Sequence, residues 1–339
     1  MSAVVLTSTK GLTREEWLSY RRLGIGGSDT SVVCGVNRYK SPMELWLEKT
    51  GQLPEQDVGE AAYWGTRLES LIREEFTLRT GIEVIPVNQI IQSREYPFML
   101  ANLDGVCRCP TYGKCVFEAK TANAFKADEW EGEAVPQDYI LQIQHYLCVT
   151  GYNGAYIAVL VGGNAFQWQY IPRDEELISM IIRYEKDFWM HVQDGVPLPP
   201  DGSDACVKFL NRRYPHSIPG SKIMLPDNAA DLIGQYNAAD KQIDILTEQK
   251  QKAGNLLKEM LGNNEIGIIG DDSISWKTVN QKRFDSKLFE SEQPDLYKKY
   301  VSKSSHRRFT VKVATKVGEG NRAQSGDTQN LEQLLRKVG

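Results

Sequence analysis

Between residues 82 and 121 the chain breaks into five short runs of strand-forming residues, 82–86, 90–92, 98–103, 105–109 and 115–121, separated by turn residues. Runs this short and this close read as a mostly antiparallel meander. Helical signals stand on both sides of it. Upstream, Thr13 to Glu16 is a capping box that opens a helix carrying Trp17, Leu18 and Tyr20. A glycine-rich turn from Gly24 to Asp29 follows, and Pro42 starts a short helix closed by Gly51. Residues 59–81 form a long helix, with Trp64, Leu68, Leu71, Ile72 and Phe76 at helical spacing and a glycine at its end. Downstream come a helix over 137–150, two β-rich runs (155–161 and 165–171) around Gly162-Gly163, and a helix over 174–194. The order α, βββ, α, β predicts a mixed α/β fold, with a central mixed sheet flanked by helices.

Beyond this core, residues 201–226 are rich in Pro and Gly and read as a linker, which sets the boundary of a first domain at 1–200. Residues 227–316 form a helical and β accessory region. Its long polar helix over 228–261 carries weak apolar spacing (Leu232, Tyr236, Ile243, Leu246, Leu256), suited to a helical hairpin or an interface. Three β-like runs (265–270, 273–279, 307–313) and a helix near 284–300 follow. The stretch 302–316 holds Lys303, Arg307, Arg308, Lys312 and Lys316 with no acid, either a solvated strand face or a phosphate-contacting patch. The polar tail 317–339 is expected to be disordered.

With 41% hydrophobic and 25% charged residues, and no apolar run of membrane-spanning length, the chain reads as a soluble protein without a membrane segment. Its first residues lack a secretory leader, which predicts a cytoplasmic location. Net charge is −4, so contact with a polyanion must be local. Six cysteines in such a chain are expected to be reduced. Cys107, Cys109 and Cys115 lack a fourth metal ligand at matching spacing and read as small apolar side chains on two strands.

One segment carries chemistry. In Val116-Phe-Glu118-Ala-Lys120 the strand period puts Glu118 and Lys120 on one face, and Asp104 lies just before the preceding hairpin. Alone, such a pair is an exposed ion pair. Glu69, however, shares a helical stripe with Ile72 and Phe76, so a third carboxylate turns toward packed surface. A surface pair with Arg73 is the competing explanation. Gln142 and Tyr146, one helical turn apart, are placed to hydrogen-bond toward the sheet and hold Lys120 or a phosphate.

These motifs together resemble the YqaJ-like viral recombinase family, relatives of phage lambda exonuclease among the PD-(D/E)XK nucleases. The matching stretches are Arg22-Leu-Gly-Ile-Gly-Gly-Ser28-Asp29, Trp64-Gly-Thr-Arg-Leu-Glu69, Leu103-Asp104-Gly, Glu118-Ala-Lys120 and Gln142-Ile-Gln-His-Tyr146. No proline precedes Asp104, where the superfamily name would put one. The resemblance implies a restriction-endonuclease-like core and a Mg²⁺ enzyme, with Mn²⁺ substituting, that degrades one strand of duplex DNA from a 5′ end. A 3′ overhang for phage-type recombination would remain. It further implies that Asp104, Glu118 and the Ala119 carbonyl ligate the principal metal and that Glu69 completes a second position. Lys120 would orient the attacking water, and Arg22 and Ser28 would receive the terminal 5′ phosphate. A homo-oligomeric ring, a trimer by preference, a single-strand annealing partner and a phage or prophage gene in a bacterial host belong to the same expectation. Without the resemblance, Gly24 to Gly27 is a plain helix-helix turn. An endonuclease with the same site, and a DNA-binding or assembly module with structural carboxylates, are the competing readings.

Overall fold

The computed structural model describes residues 3–53, 59–302 and 306–312. The chain divides into two compact units, Met1–Tyr214 and Pro215–Gly339. In the first unit the order is β1 (Ala3–Ser8), α1 (Arg14–Arg21), β2 (Ile25–Gly26), α2 (Gly27–Val33), α3 (Pro42–Lys49), α4 (Glu60–Thr80), β3 (Val84–Ile85), β4 (Gln89–Ser93), β5 (Met99–Asn102), β6 (Gly105–Cys109) and β7 (Gly113–Ala122). A 3₁₀ turn (Ala124–Trp130), α5 (Gln137–Thr150), β8 (Gly154–Val161), β9 (Ala165–Pro172), α6 (Glu175–Gln193) and α7 (Asp204–Arg213) complete it.

The strands form two sheets, not one meander: β1-β4-β5-β2 and β3-β6-β7-β8-β9. Both are mixed, with β2 parallel to β5 and β7 parallel to β8. The break falls at Leu103-Asp104, between β5 and β6, where the chain leaves the first sheet and enters the second. Gly105 is required there because a Cβ would lie 2.5 Å from Val84 Cγ1.

The period of β7 divides its side chains between two layers. Cys115 and Phe117 face α4, where Ile72 and Phe76 close a core in which the Phe76 and Phe117 rings lie 5.0 Å apart. Val116 faces the opposite layer and packs with Ile143 and Leu147 of α5. Burying each such side chain contributes about 1.5–3 kcal/mol. The sheet is thereby held between α4 and α5, and Glu118 and Lys120, in phase with Val116, are delivered to the α5 side.

Helix α1 has the expected capping box, and Gly81 ends α4 in the left-handed conformation at φ 69°. Trp64 and Leu71, read as part of the apolar stripe of α4, are exposed. The linker reading of 201–226 is corrected in part. Ser203 caps α7, whose Ala205, Cys206 and Phe209 are buried, Phe209 packing with Leu45, Trp46 and Phe188. Flanking prolines and glycines masked a ten-residue helix.

In the second unit, α8 (Ala229–Leu261) leads to the antiparallel hairpin β10 (Ile266–Ile269) and β11 (Asp272–Ser275). The helix expected near 284–300 is two, α9 (Ser286–Glu292) and α10 (Pro294–Tyr300), separated at Gln293-Pro294. Of the run 307–313, read as β-like, residues 307–312 have no regular structure and 313 lies outside the described residues. The tail 317–339 lies outside the described residues.

Candidate active site

Asp104, Glu118 and Lys120 come together where β6 and β7 meet α5. Asp104 Oδ2 accepts the Ala119 N–H at 2.9 Å, and the Asp104 charge acts on the Glu118 carboxyl. Lys120 Nζ donates to Glu118 Oε1 at 2.7 Å and to Gln142 Oε1 at 3.1 Å. Gln142 Nε2 in turn donates to Glu118 Oε1 at 2.5 Å and to the Tyr146 hydroxyl at 3.0 Å. The Lys120 ammonium lies 4.8 Å from the centre of the Tyr139 ring. That aromatic contact was missed in the sequence, where Tyr139 reads as one more apolar position on a helix.

Burial and the neighbouring Asp104 charge push the Glu118 carboxyl up to about 8. Burial also raises Asp104, against the pull of Lys120, the Ala119 N–H and Arg73. Glu69 is raised too, by burial and then by the Asp104 charge. Lys120 is raised although burial opposes its charge, because Glu118 and Asp104 outweigh burial. Three carboxyls crowd a site with one ammonium inside it.

Glu69 is reached by Arg73, whose Nη1 donates to Glu69 Oε1 at 2.9 Å and to the Asp104 carbonyl at 3.1 Å. The pair is therefore not merely a surface ion pair. It ties α4 to the residue at which the chain changes sheets.

The glycine-rich segment is not a plain turn. Ile25-Gly26 pairs with β5, and α2 begins at once. A Cβ on Gly27 would lie 2.5 Å from the Tyr146 ring, so glycine permits α2 to rest on α5. Arg21 Nη2 reaches Ser28 Oγ at 3.1 Å and Asp29 Oδ1 at 3.0 Å. Lys49 Nζ holds Asp29 Oδ2 at 2.7 Å. Burial would raise Asp29, but Arg21 and Lys49 outweigh it and hold the carboxyl far below its usual range. Arg22 caps α1 through its backbone N–H to the Leu18 carbonyl, so the guanidinium beside Ser28 is Arg21's rather than Arg22's. Neighbouring residues on a helix point about 100° apart, which spacing alone does not resolve. Arg21, Gly27, Ser28, Leu100 and Tyr146 line one small cavity, and Tyr146 joins it to the carboxylates through Gln142.

Behind Tyr146, on the same helix, His145 is fully buried. Its Nδ1 meets Glu185 Oε1 at 2.8 Å and its Nε2 the Leu100 carbonyl at 2.8 Å; Thr30 Oγ1 also donates to Glu185 Oε1 at 2.8 Å. Both ring nitrogens face acceptors, so the geometry calls for the imidazolium. Burial opposes that charge, but Glu185 and the two hydrogen bonds raise the His145 pKa. This network joins α2, β5, α5 and α6.

A model of the YqaJ-like viral recombinase domain matches residues 16–153. The protein YqaJ of Bacillus subtilis (strain 168) is 41% identical over 314 residues, covering 91% of this chain and 98% of that protein. The chain belongs to the YqaJ family. Protein R354 of Acanthamoeba polyphaga mimivirus is 24% identical over 219 residues, 59% of this chain and 39% of that protein. Among solved structures, the alkaline exonuclease LHK-Exo from Laribacter hongkongensis has a TM-score of 0.47 at 20% identity, covering 59% of this chain and 97% of that one. A phage-related exonuclease from Haemophilus somnus 129PT has a TM-score of 0.40 at 14% identity, covering 53% and 99%. The stretch matched by the family model runs from Glu16 to Asn153 and takes in Arg21 through Tyr146, whereas Glu185 lies beyond it.

The donor set suits a divalent cation. Glu118 Oε2 is buried with no hydrogen-bond partner among the described residues, and burial and neighbouring negative charge raise Glu118 and Glu69. Among the described residues no three His, Cys, Asp or Glu side chains are gathered at ligand distance as they stand; Glu69 is bonded to Arg73 and Asp104 to the Ala119 N–H. Two carboxylates and a third nearby fit a hard cation that keeps several waters, as Mg²⁺ does. Among the described residues no helix is long and apolar enough to cross a membrane.

Proposed function

We propose that this chain is a divalent-metal-dependent nuclease of the PD-(D/E)XK type that degrades one strand of linear duplex DNA from its 5′ end, leaving a 3′ overhang for phage-type recombination. The observation that carries the reading is the convergence of Asp104, Glu118 and Lys120, with Glu118 buried among like charges and holding one unpartnered oxygen. A structural ion pair needs neither the crowding nor the orphaned oxygen. Mg²⁺, or Mn²⁺ in its place, held by Asp104, Glu118 and the Ala119 carbonyl, with Glu69 at a second position, would supply charge neutralisation at the attacked phosphate.

The chain's own residues do the rest. Lys120, fixed by Gln142 and by the Tyr139 ring, donates to the attacking water and favours its deprotonated form. Gln142 passes the position of Lys120 on to Tyr146, which borders the cavity at Arg21 and Ser28. A terminal 5′ phosphate seated there, on Arg21 and Ser28 with Arg22 alongside, would fix the scissile bond one step from the carboxylates. That arrangement favours cleavage from an end. The first unit, through Tyr214, would form the nuclease domain, closed into a homo-oligomeric ring, a trimer by preference, with a single-strand annealing protein as partner.

Digestion with Mg²⁺ tests the reading. Linear duplex consumed with closed circles spared is expected. Cutting of both would make the site an endonuclease, and cutting of neither would leave a binding module. Arg21→Ala and Arg22→Ala, assayed on 5′-phosphorylated and 5′-hydroxyl ends, decide which guanidinium reads the end.

A further inference from the structure

Helix α8 is 33 residues long, and most of its apolar residues fall on one row, with Ile233, Ile245 and Leu256 beside it. Leu232, Tyr236, Ala239, Ile243, Leu246, Lys250, Ala253, Leu257 and Met260 succeed one another at alternating intervals of four and three residues. This is the spacing that the seam of a two-stranded coiled coil requires, about 42 Å long, with Lys250 as its one polar member. All nine positions are exposed, Ile243 at 60% and Leu246 at 63%. One exposed leucine on a surface is ordinary, whereas a continuous apolar row marks an interface. Long helices take most of their stability from packing such a face.

We infer that the α8 seam pairs with the α8 of a second copy of this chain in an antiparallel two-stranded coiled coil. The argument is self-complementarity. Laid antiparallel about a point between Asp244 and Ile245, the seam sets Leu232 against Leu257, Tyr236 against Ala253, Ala239 against Lys250 and Ile243 against Leu246. The two bulky or charged positions each meet an alanine, and the aliphatic ones meet each other. Lys250 then lies over a small side chain with its ammonium free to reach water.

A parallel pair is disfavoured by the same residues. It would set Lys250 against Lys250 in the seam and alanine against alanine at positions 239 and 253, adding repulsion and leaving voids. The flanks agree with the antiparallel form. Gln242 meets Gln249 and Asp240 meets Thr247, so no like charges are opposed. Tyr236, edge-on to the Phe309 ring at 5.8 Å, keeps 47% of its surface exposed for the seam. Because the contact is isologous, it joins two chains and stops, and it is distinct in symmetry from a ring.

The test uses the full-length chain. Sedimentation equilibrium should give the wild type twice the mass of the Ile243→Asp/Leu246→Asp variant, whose unchanged circular dichroism would show that the fold is intact. Association should weaken at least a hundredfold in that variant and tighten in Lys250→Leu. A mixture of Tyr236→Cys and Ala253→Cys chains should form a disulfide-linked dimer above the wild-type background, and neither variant alone should do so. Equal masses for wild type and double variant would overturn the inference, whether the seam covers its own chain or another protein. Cross-linking of Ala253→Cys with itself would overturn the antiparallel form.

Discussion

Two buried glutamates lie on either side of α5 and resemble each other in every local respect but one. Glu118 is met by Gln142 and Glu185 by His145, three residues apart on the helix, and each glutamate leaves one oxygen without a hydrogen-bond partner. Their charged company differs. Glu185 faces His145, whose two ring nitrogens both meet acceptors, while Glu118 shares the Lys120 ammonium with Asp104, has Glu69 nearby on Arg73, and is pushed up to about 8. An orphaned buried oxygen is therefore not by itself the mark of a reactive site. Crowding of like charge points to one, since a bound proton or an added cation has to relieve it. The His145 side of α5 is balanced within the fold and positions the helix. The Gln142 side is left unbalanced at the cost of stability.

The largest expected effect separates the two sides by activity. Glu118→Gln should lower hydrolysis of linear duplex DNA about a thousandfold or more, the scale on which loss of a group stabilising transition-state charge is felt. Its melting temperature without metal should not fall. With the folded carboxyl near 8 and the unfolded one near 4.5, the folded chain binds the extra proton, so Glu118 subtracts stability as pH rises through that interval. Wild-type turnover in this variant would end the comparison.

Glu185→Gln should do the reverse in kind, leaving a buried imidazolium unpaired and costing about 3–5 kcal/mol in denaturant unfolding. An unchanged midpoint would mean that His145 is neutral. Next in size, Mg²⁺ at about a hundred times its Kd should stabilise the wild type by about 2.7 kcal/mol and Glu118→Gln far less, as thermal shift can read. Equal shifts in both would place the cation elsewhere.

A smaller contrast is in pH. His145 gains a partner on folding and its pKa rises above the usual 6.5, so its contribution is full below about pH 6.5 and declines as pH passes the raised value. The alkaline loss of stability should be shallower in His145→Gln than in the wild type, and parallel curves would remove the imidazolium. Smallest, Gly27→Ala should cost about 1–3 kcal/mol by pressing a Cβ into the Tyr146 ring. Full stability there would mean that α2 and α5 can part without strain.

Much of the site was legible because its elements carry their own signals. The period of two in 116–120 put Glu118 beside Lys120, and the stripe of α4 set Glu69 on the side of Ile72 and Phe76, where it is partly exposed and paired with Arg73. The capping box at Thr13 and the glycines after α4 and α5 marked helix ends. What stayed hidden was long-range. Val5 and Ile91 pair in one sheet, yet nothing near Val5 names its partner. The helix over 204–213 was lost among prolines, although Ser203 and Asp204 form its cap and first turn. Arg21 and Arg22 are equivalent in sequence until α1 is set against α2.

From the residues alone came most of the element types, the shared face of Glu118 and Lys120 and the weak apolar spacing of α8, since these depend on dihedral periods that each segment carries within itself. Only tertiary structure decided the division into two sheets at Asp104, the seating of Tyr146 against Gly27, and the difference between Glu118 and Glu185. Burial and electrostatic repulsion depend on which distant groups arrive at the same place, and no local pattern records that.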